Sequence, residues 1–158
     1  MSAIAKDLFL GSVFAAMLLG QSVSVAPSAT DRNTPGSFTL TLDSPQGKAP
    51  VAIQWEFAIP AVLNVKVADL KAGKAAQAAG KSLTCASKTG AGPGNRYACI
   101  LEGGQAVIAN GPMAIVSYRA QADAQGAPIR VGIENVIGVS SDGKRIPIRN
   151  TDAMITIR

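Results

Sequence analysis

Histidine is absent from the 158 residues. That absence removes the Ser-His-Asp and Cys-His nucleophile systems, His-ligated zinc and the imidazole proton shuttle together. Aromatics are scarce, at one Trp, two Tyr and four Phe, and charged residues make up 16% of the chain against 47% hydrophobic. So apolar a chain is not a disordered one, and it carries neither the glycine period of collagen nor the heptads of a coiled coil. No EF-hand-type run of alternating acidic residues occurs. Residues 89–95 (TGAGPGN) are rich in glycine but lack the Lys-Ser/Thr ending and the following helix of a phosphate loop. No cofactor and no metal site is expected. The length suits one domain with a real core and is short for two.

The formal charge is +5. Its nearest approach to a cluster is Lys66, Lys71, Lys74, Lys81 and Lys88, with Asp69 among them. Lysines spread in this way are the ordinary solvated surface of a domain, and no nucleic-acid partner is expected.

Lys6 precedes the apolar run at residues 8–20 (LFLGSVFAAMLLG), which is shorter than the roughly 20 residues of a membrane-spanning helix. It fits the h-region of a secretory signal, followed by small residues at Ser22, Ser24, Ala26, Ser28 and Ala29. The expected organisation is a signal peptide at residues 1–29, a polar linker at 30–36 and a folded domain at 37–158. The expected location is secreted or at the cell surface. A membrane is met only through an uncleaved N-terminal segment, since no Cys follows the run to take a lipid.

Cys85 and Cys99 are the only cysteines. In an exported chain their natural state is a disulfide across the Gly/Pro-rich loop. Two buried thiols and a metal pair are the alternatives, although two thiolates without further Cys or His make a poor zinc site.

From Ser37 onward the period is two. Phe38, Leu40 and Leu42 alternate with Thr39 and Thr41, and Val51, Ile53, Trp55 and Phe57 alternate with Ala52, Gln54 and Glu56. Leu63, Val65 and Val67 continue the pattern, and residues 82–87 and 97–102 form a pair bracketed by the cysteines. Further runs lie at 106–109, 113–122, 129–139, 145–148 and 153–158, separated by Gly103-Gly104, Gly111-Pro112 and Asp142-Gly143. Residues 69–80 (DLKAGKAAQAAG) allow only a short helical turn between Gly73 and Gly80. About nine short strands with almost no helix predict an all-β, antiparallel, jelly-roll-like sandwich.

Glu56, Glu102 and Glu134 fall in or at the ends of predicted strands, but no spacing makes two of them a glycosidase pair. No catalytic residue is assigned, and the chain is not expected to be an enzyme. Trp55, Tyr97 and Tyr118 share parity with apolar neighbours and should point inward, leaving no flat rings to stack on sugars.

The order VAIQWEF (51–57), AGKAAQAAGKS (72–82), ANGPMAIVSYRA (109–120), IRVGIENVIGVSSDGKRIPI (129–148) and ITI (155–157) resembles the cohesin domain family. That β-sandwich family belongs with the cellulose-binding type of carbohydrate-binding modules. The resemblance implies a noncatalytic secreted module that binds, through one sandwich face, the dockerin module of a polysaccharide-degrading enzyme, with calcium residing in the dockerin. The chain departs from the scaffoldin pattern in holding one such domain and a cysteine pair the family does not require, so no binding residue is carried over. A carbohydrate-binding module, taking polysaccharide as its partner, and a surface or filament subunit self-assembling through strand edges are the alternatives.

Overall fold

A computed structural model describes residues 20–90, 94–124 and 128–158. The chain forms β1 (Ser22–Val25), β2 (Ser28–Thr30), β3 (Pro35–Asp43), β4 (Ala52–Ile59), β5 (Leu63–Asn64), a 3₁₀ turn (Val67–Asp69) and β6 (Leu70–Ala72). There follow α1 (Lys74–Ala78), β7 (Ser82–Lys88), β8 (Asn95–Glu102), β9 (Gly111–Ala120), β10 (Ile129–Val139), β11 (Arg145–Pro147), β12 (Arg149–Asn150) and β13 (Ala153–Ile157). One sheet has the order β12-β1-β3-β9-β5, with β6 also on β9. The other runs β2-β13-β10-β4-β8-β7, with β11 on β10.

Most pairings are antiparallel, but β1 with β12 and β2 with β13 are parallel, so both sheets are mixed. The sheets stack on one core to which Phe38, Leu40, Trp55, Phe57, Val116, Ile133 and Ile155 contribute from both sides. The alternation read in the sequence is the cause: in β3 the Phe and Leu residues are buried and Thr39 and Thr41 face outward. Trp55, Tyr97 and Tyr118 are all buried, as their parity required. Trp55 and Phe57 meet edge to face at 5.9 Å, and the Tyr97 hydroxyl donates to the Val65 carbonyl at 2.7 Å.

Several expectations are corrected. The folded domain does not start at residue 37. β1 and β2 lie inside the expected signal peptide, and β3 begins within the expected linker at Pro35. These early strands are short, and their Ser-Val and Ser-Ala patterns carry little apolar signal. Only residues 1–19 of that predicted segment lie outside the described residues, together with 91–93 of the glycine loop and 125–127. Residues 106–109 form no strand; Ile108 is buried there, and its N–H donates to the Pro50 carbonyl. The third predicted strand stops at Asn64. A 3₁₀ turn then leaves Val67 41% exposed, and the Asp69 carboxylate accepts from the Lys66 N–H. The short helix in 69–80 is α1.

Gly94 has φ +113°, and a Cβ there would lie 2.4 Å from the Ile59 carbonyl oxygen. Only glycine allows β8 to start this close to the end of β4.

Candidate protein-binding face

Outward-pointing residues of β7, β8, β4 and β10 form one face of the second sheet. Along β8 the buried positions are Tyr97, Cys99 and Leu101, which turns Arg96, Ala98, Ile100 and Glu102 outward. Along β4, burial of Ile53, Trp55, Phe57 and Ile59 turns Ala52, Gln54, Glu56 and Ala58 outward.

On β10 a bulge resets the parity. Glu134 pairs with Glu56, yet Ile137 pairs with Gln54, so two residues of β10 oppose Trp55 alone. Asn135 takes the left-handed conformation there, with φ 52°, which Asn tolerates better than most side chains. Val136 is buried, while Ile137 and Val139 are half-buried. Without the bulge the alternation would send Val136 outward.

The face therefore has two halves. Ala52, Gln54, Ile100, Ile137, Val139 and Arg145 line a shallow depression of about 320 Å³. Next to it, Gln54, Glu56, Ala98, Ile100 and Asn135 line a second of about 260 Å³. Beyond them lies a charged end. Lys88 Nζ donates to Glu56 Oε1 at 2.6 Å, and Arg96 Nη2 lies 2.5 Å from Glu134 Oε2 and 3.8 Å from Glu56 Oε2. The Lys88 hydrogen bond, with the charges of Lys88 and Arg96, lowers the Glu56 pKa below its ordinary value despite the opposing effect of burial.

Two of the three sequence-selected carboxylates thus meet across adjacent strands, and Glu102 lies apart, opposite Ser82. The lysine series does not form one surface: Lys66, Lys71 and Lys74 are exposed, Lys88 pairs with Glu56, and Lys81 is 5% exposed. Its ammonium donates to the carbonyls of Gly103 at 2.6 Å and Gly104 at 3.1 Å. Among the described residues no group of His, Cys, Asp or Glu is disposed to hold a metal ion.

Cys85 and Cys99 are disulfide-bonded and directly opposite each other in the β7-β8 ladder. The bond fastens the edge strand of this sheet, in which Leu83 and Cys85 alone are even half-buried. Arg96, Ile100, Asn135 and Ile137 were not singled out in the sequence. Ile100 carried a usable signal, as a large apolar residue on the parity of Arg96, Ala98 and Glu102. Ile137 carried none, because the bulge is what turns it outward.

The opposite sheet has a depression of about 270 Å³ lined by Asn64, Lys66, Asp69, Ser117 and Arg119, among others. Two of its polar groups are engaged locally, with Arg119 donating to the Asn33 carbonyl and Asp69 accepting from the Lys66 N–H.

The architecture is that of a jelly-roll-like β-sandwich. Within that class the fold is cohesin-like, as comparison with solved structures shows. A non-cellulosomal cohesin from the archaeon Archaeoglobus fulgidus superposes with a TM-score of 0.69 at 12% identity, covering 88% of this chain and 91% of that one. The sixth cohesin of Acetivibrio cellulolyticus scaffoldin B, solved with a dockerin, gives 0.73 at 12% identity over 88% and 99%. A type I cohesin-dockerin complex from Clostridium thermocellum gives 0.72 at 12% identity over 88% and 99%. No protein-family profile matches the sequence, and no curated protein matches it.

Proposed function

We propose that the chain is a noncatalytic, exported recognition module that binds a secreted protein of the dockerin type through the outer face of β7, β8, β4 and β10. The observation that carries this reading is the composition of that face: Ile100, Ile137 and Val139 beside Ala52 and Ala98, bordered by the Glu56, Glu134, Arg96 and Lys88 ion pairs. An apolar centre with a polar rim is the anatomy of a protein interface. A flat sheet with no outward aromatic ring has little with which to stack on a sugar. The likeness to cohesins solved in complex with dockerins supports the same reading.

The test immobilises residues 20–158 and measures binding of a panel of calcium-loaded type I dockerins, with soluble and crystalline polysaccharides in parallel. A dockerin should bind and stay bound at 1 M salt, where the Debye length is about 3 Å. Ile100→Asp and Ile137→Asp should each weaken it by about 30-fold or more, as a central contact does, with an unchanged circular dichroism spectrum. Binding of polysaccharide alone, or of a dockerin equally well by Ile100→Asp, would overturn the proposal.

A further inference from the structure

Resting on the reading of residues 8–20 as an export leader, we propose that the maturation cut falls at or upstream of the Gly20–Gln21 bond, so that β1 is retained in the mature protein. The small residues at Ser22, Ser24 and Ala26 offer cleavage sites inside or just after β1. A cut at any of them would remove structure that the sheet of β1, β3 and β9 uses.

β1 pairs with β3 over four residues, from Ser22 with Asp43 to Val25 with Leu40, and on its other side with Arg149 and Asn150 of β12. Val23 is 1% exposed and Val25 9%, both within the core. The Gln21 carbonyl accepts the Arg149 N–H at 3.0 Å and the Val23 carbonyl accepts the Thr151 N–H at 3.1 Å. The Gln21 side chain, 4% exposed, donates to the Lys48 carbonyl. Removing residues 21–25 would leave β12 without its partner, strand-edge groups of β3 unpaired and the space of two valines empty.

Past Ala26 and Pro27 the chain crosses to the other sheet, where β2 pairs with β13. Residues 21–30 therefore clip the two sheets together. Gly20 is the last small residue before the buried segment. Pro27 disfavours a cut directly after Ala26. The retained strand lies in the sheet opposite the proposed binding face.

The experiment expresses the full chain in a secreting host and determines the N-terminal residue of the exported protein by intact mass. The expected N-terminus is Gln21 or a residue up to about three positions before it. An N-terminus at Ser22 or later, or Met1 retained on the exported protein, overturns the proposal. Val23→Ala in the same full chain should lower the thermal midpoint of the exported protein by about 2 to 6 °C. Ser24→Ala, at an exposed position, should leave it within about 1 °C. Equal midpoints for Val23→Ala and wild type would show that β1 is absent from the mature fold. These readouts do not depend on partner binding and can fail independently of the proposed function.

Discussion

Replacing both cysteines, Cys85→Ser with Cys99→Ser, tests how much of the sandwich's stability rests on one covalent link. The bond closes a loop of about 15 residues, for which the chain-entropy relation gives about 3 kcal/mol at 25 °C. Loss of sulfur packing adds to this at Cys99, which is 3% exposed, more than at Cys85, which is half-buried at the sheet edge. For a chain of 158 residues, 3 kcal/mol corresponds to a fall of about 6 to 12 °C in the thermal midpoint. The damage should also be local. β7 pairs with β8 alone and contributes only Leu83 and Cys85, each half-buried, to the interior. Hydrogen exchange should therefore accelerate in residues 82–88 of the variant more than in β4, which has neighbours on both sides. Calorimetry and exchange mass spectrometry read the two effects. A midpoint within about 2 °C of wild type would refute the loop argument, and uniform acceleration across the sheet would refute the local one.

Glu56→Gln should flatten the acid limb of the stability profile. The folded-state pKa of Glu56 lies below its ordinary value of 4.5, so its contribution is present above pH 4.5 and is lost as pH falls through the lower folded value. Thermal scans from pH 3 to 7 should show wild type and variant converging at the acid end, and a constant gap would exclude this carboxylate as the cause. Lys81→Met keeps the aliphatic stem but removes the donors to the Gly103 and Gly104 carbonyls. Both glycines are exposed and water can replace the lost bonds, so the cost should be about 1.5 kcal/mol, the low end for a charged hydrogen bond, read from the urea midpoint. Gly36→Val should be far more severe, because even a Cβ at Gly36 would lie 2.5 Å from Tyr118 Cζ; an unchanged midpoint would mean that the ring moves freely.

Much of the architecture was legible because the side-chain period of a strand is two, whatever the strand pairs with. That period alone placed Trp55, Tyr97 and Tyr118 inside and identified β3, β4 and β8 to within a few residues. The cysteine spacing around a glycine loop likewise identified the β7-β8 pair. Local alternation reports which side of a strand is buried, and it fails wherever burial is decided by a partner far away in sequence. β1 and β2 are too short and too rich in serine to announce themselves. They become strands because β3, β12 and β13 supply their hydrogen bonds, two of them by parallel pairing across more than 120 residues. The candidate binding face depended on tertiary structure for the same reason. Asn135 interrupts the period within β10, turning Ile137 outward beside Ile100, and the β4-β10 register sets Glu56 opposite Glu134. The sequence determined a two-layer sandwich with a stapled hairpin, because alternation and cysteine pairing are properties of the chain itself. Only the packed sheets decided where the domain begins and which residues share a surface, because register, bulge and edge pairing are relations between segments.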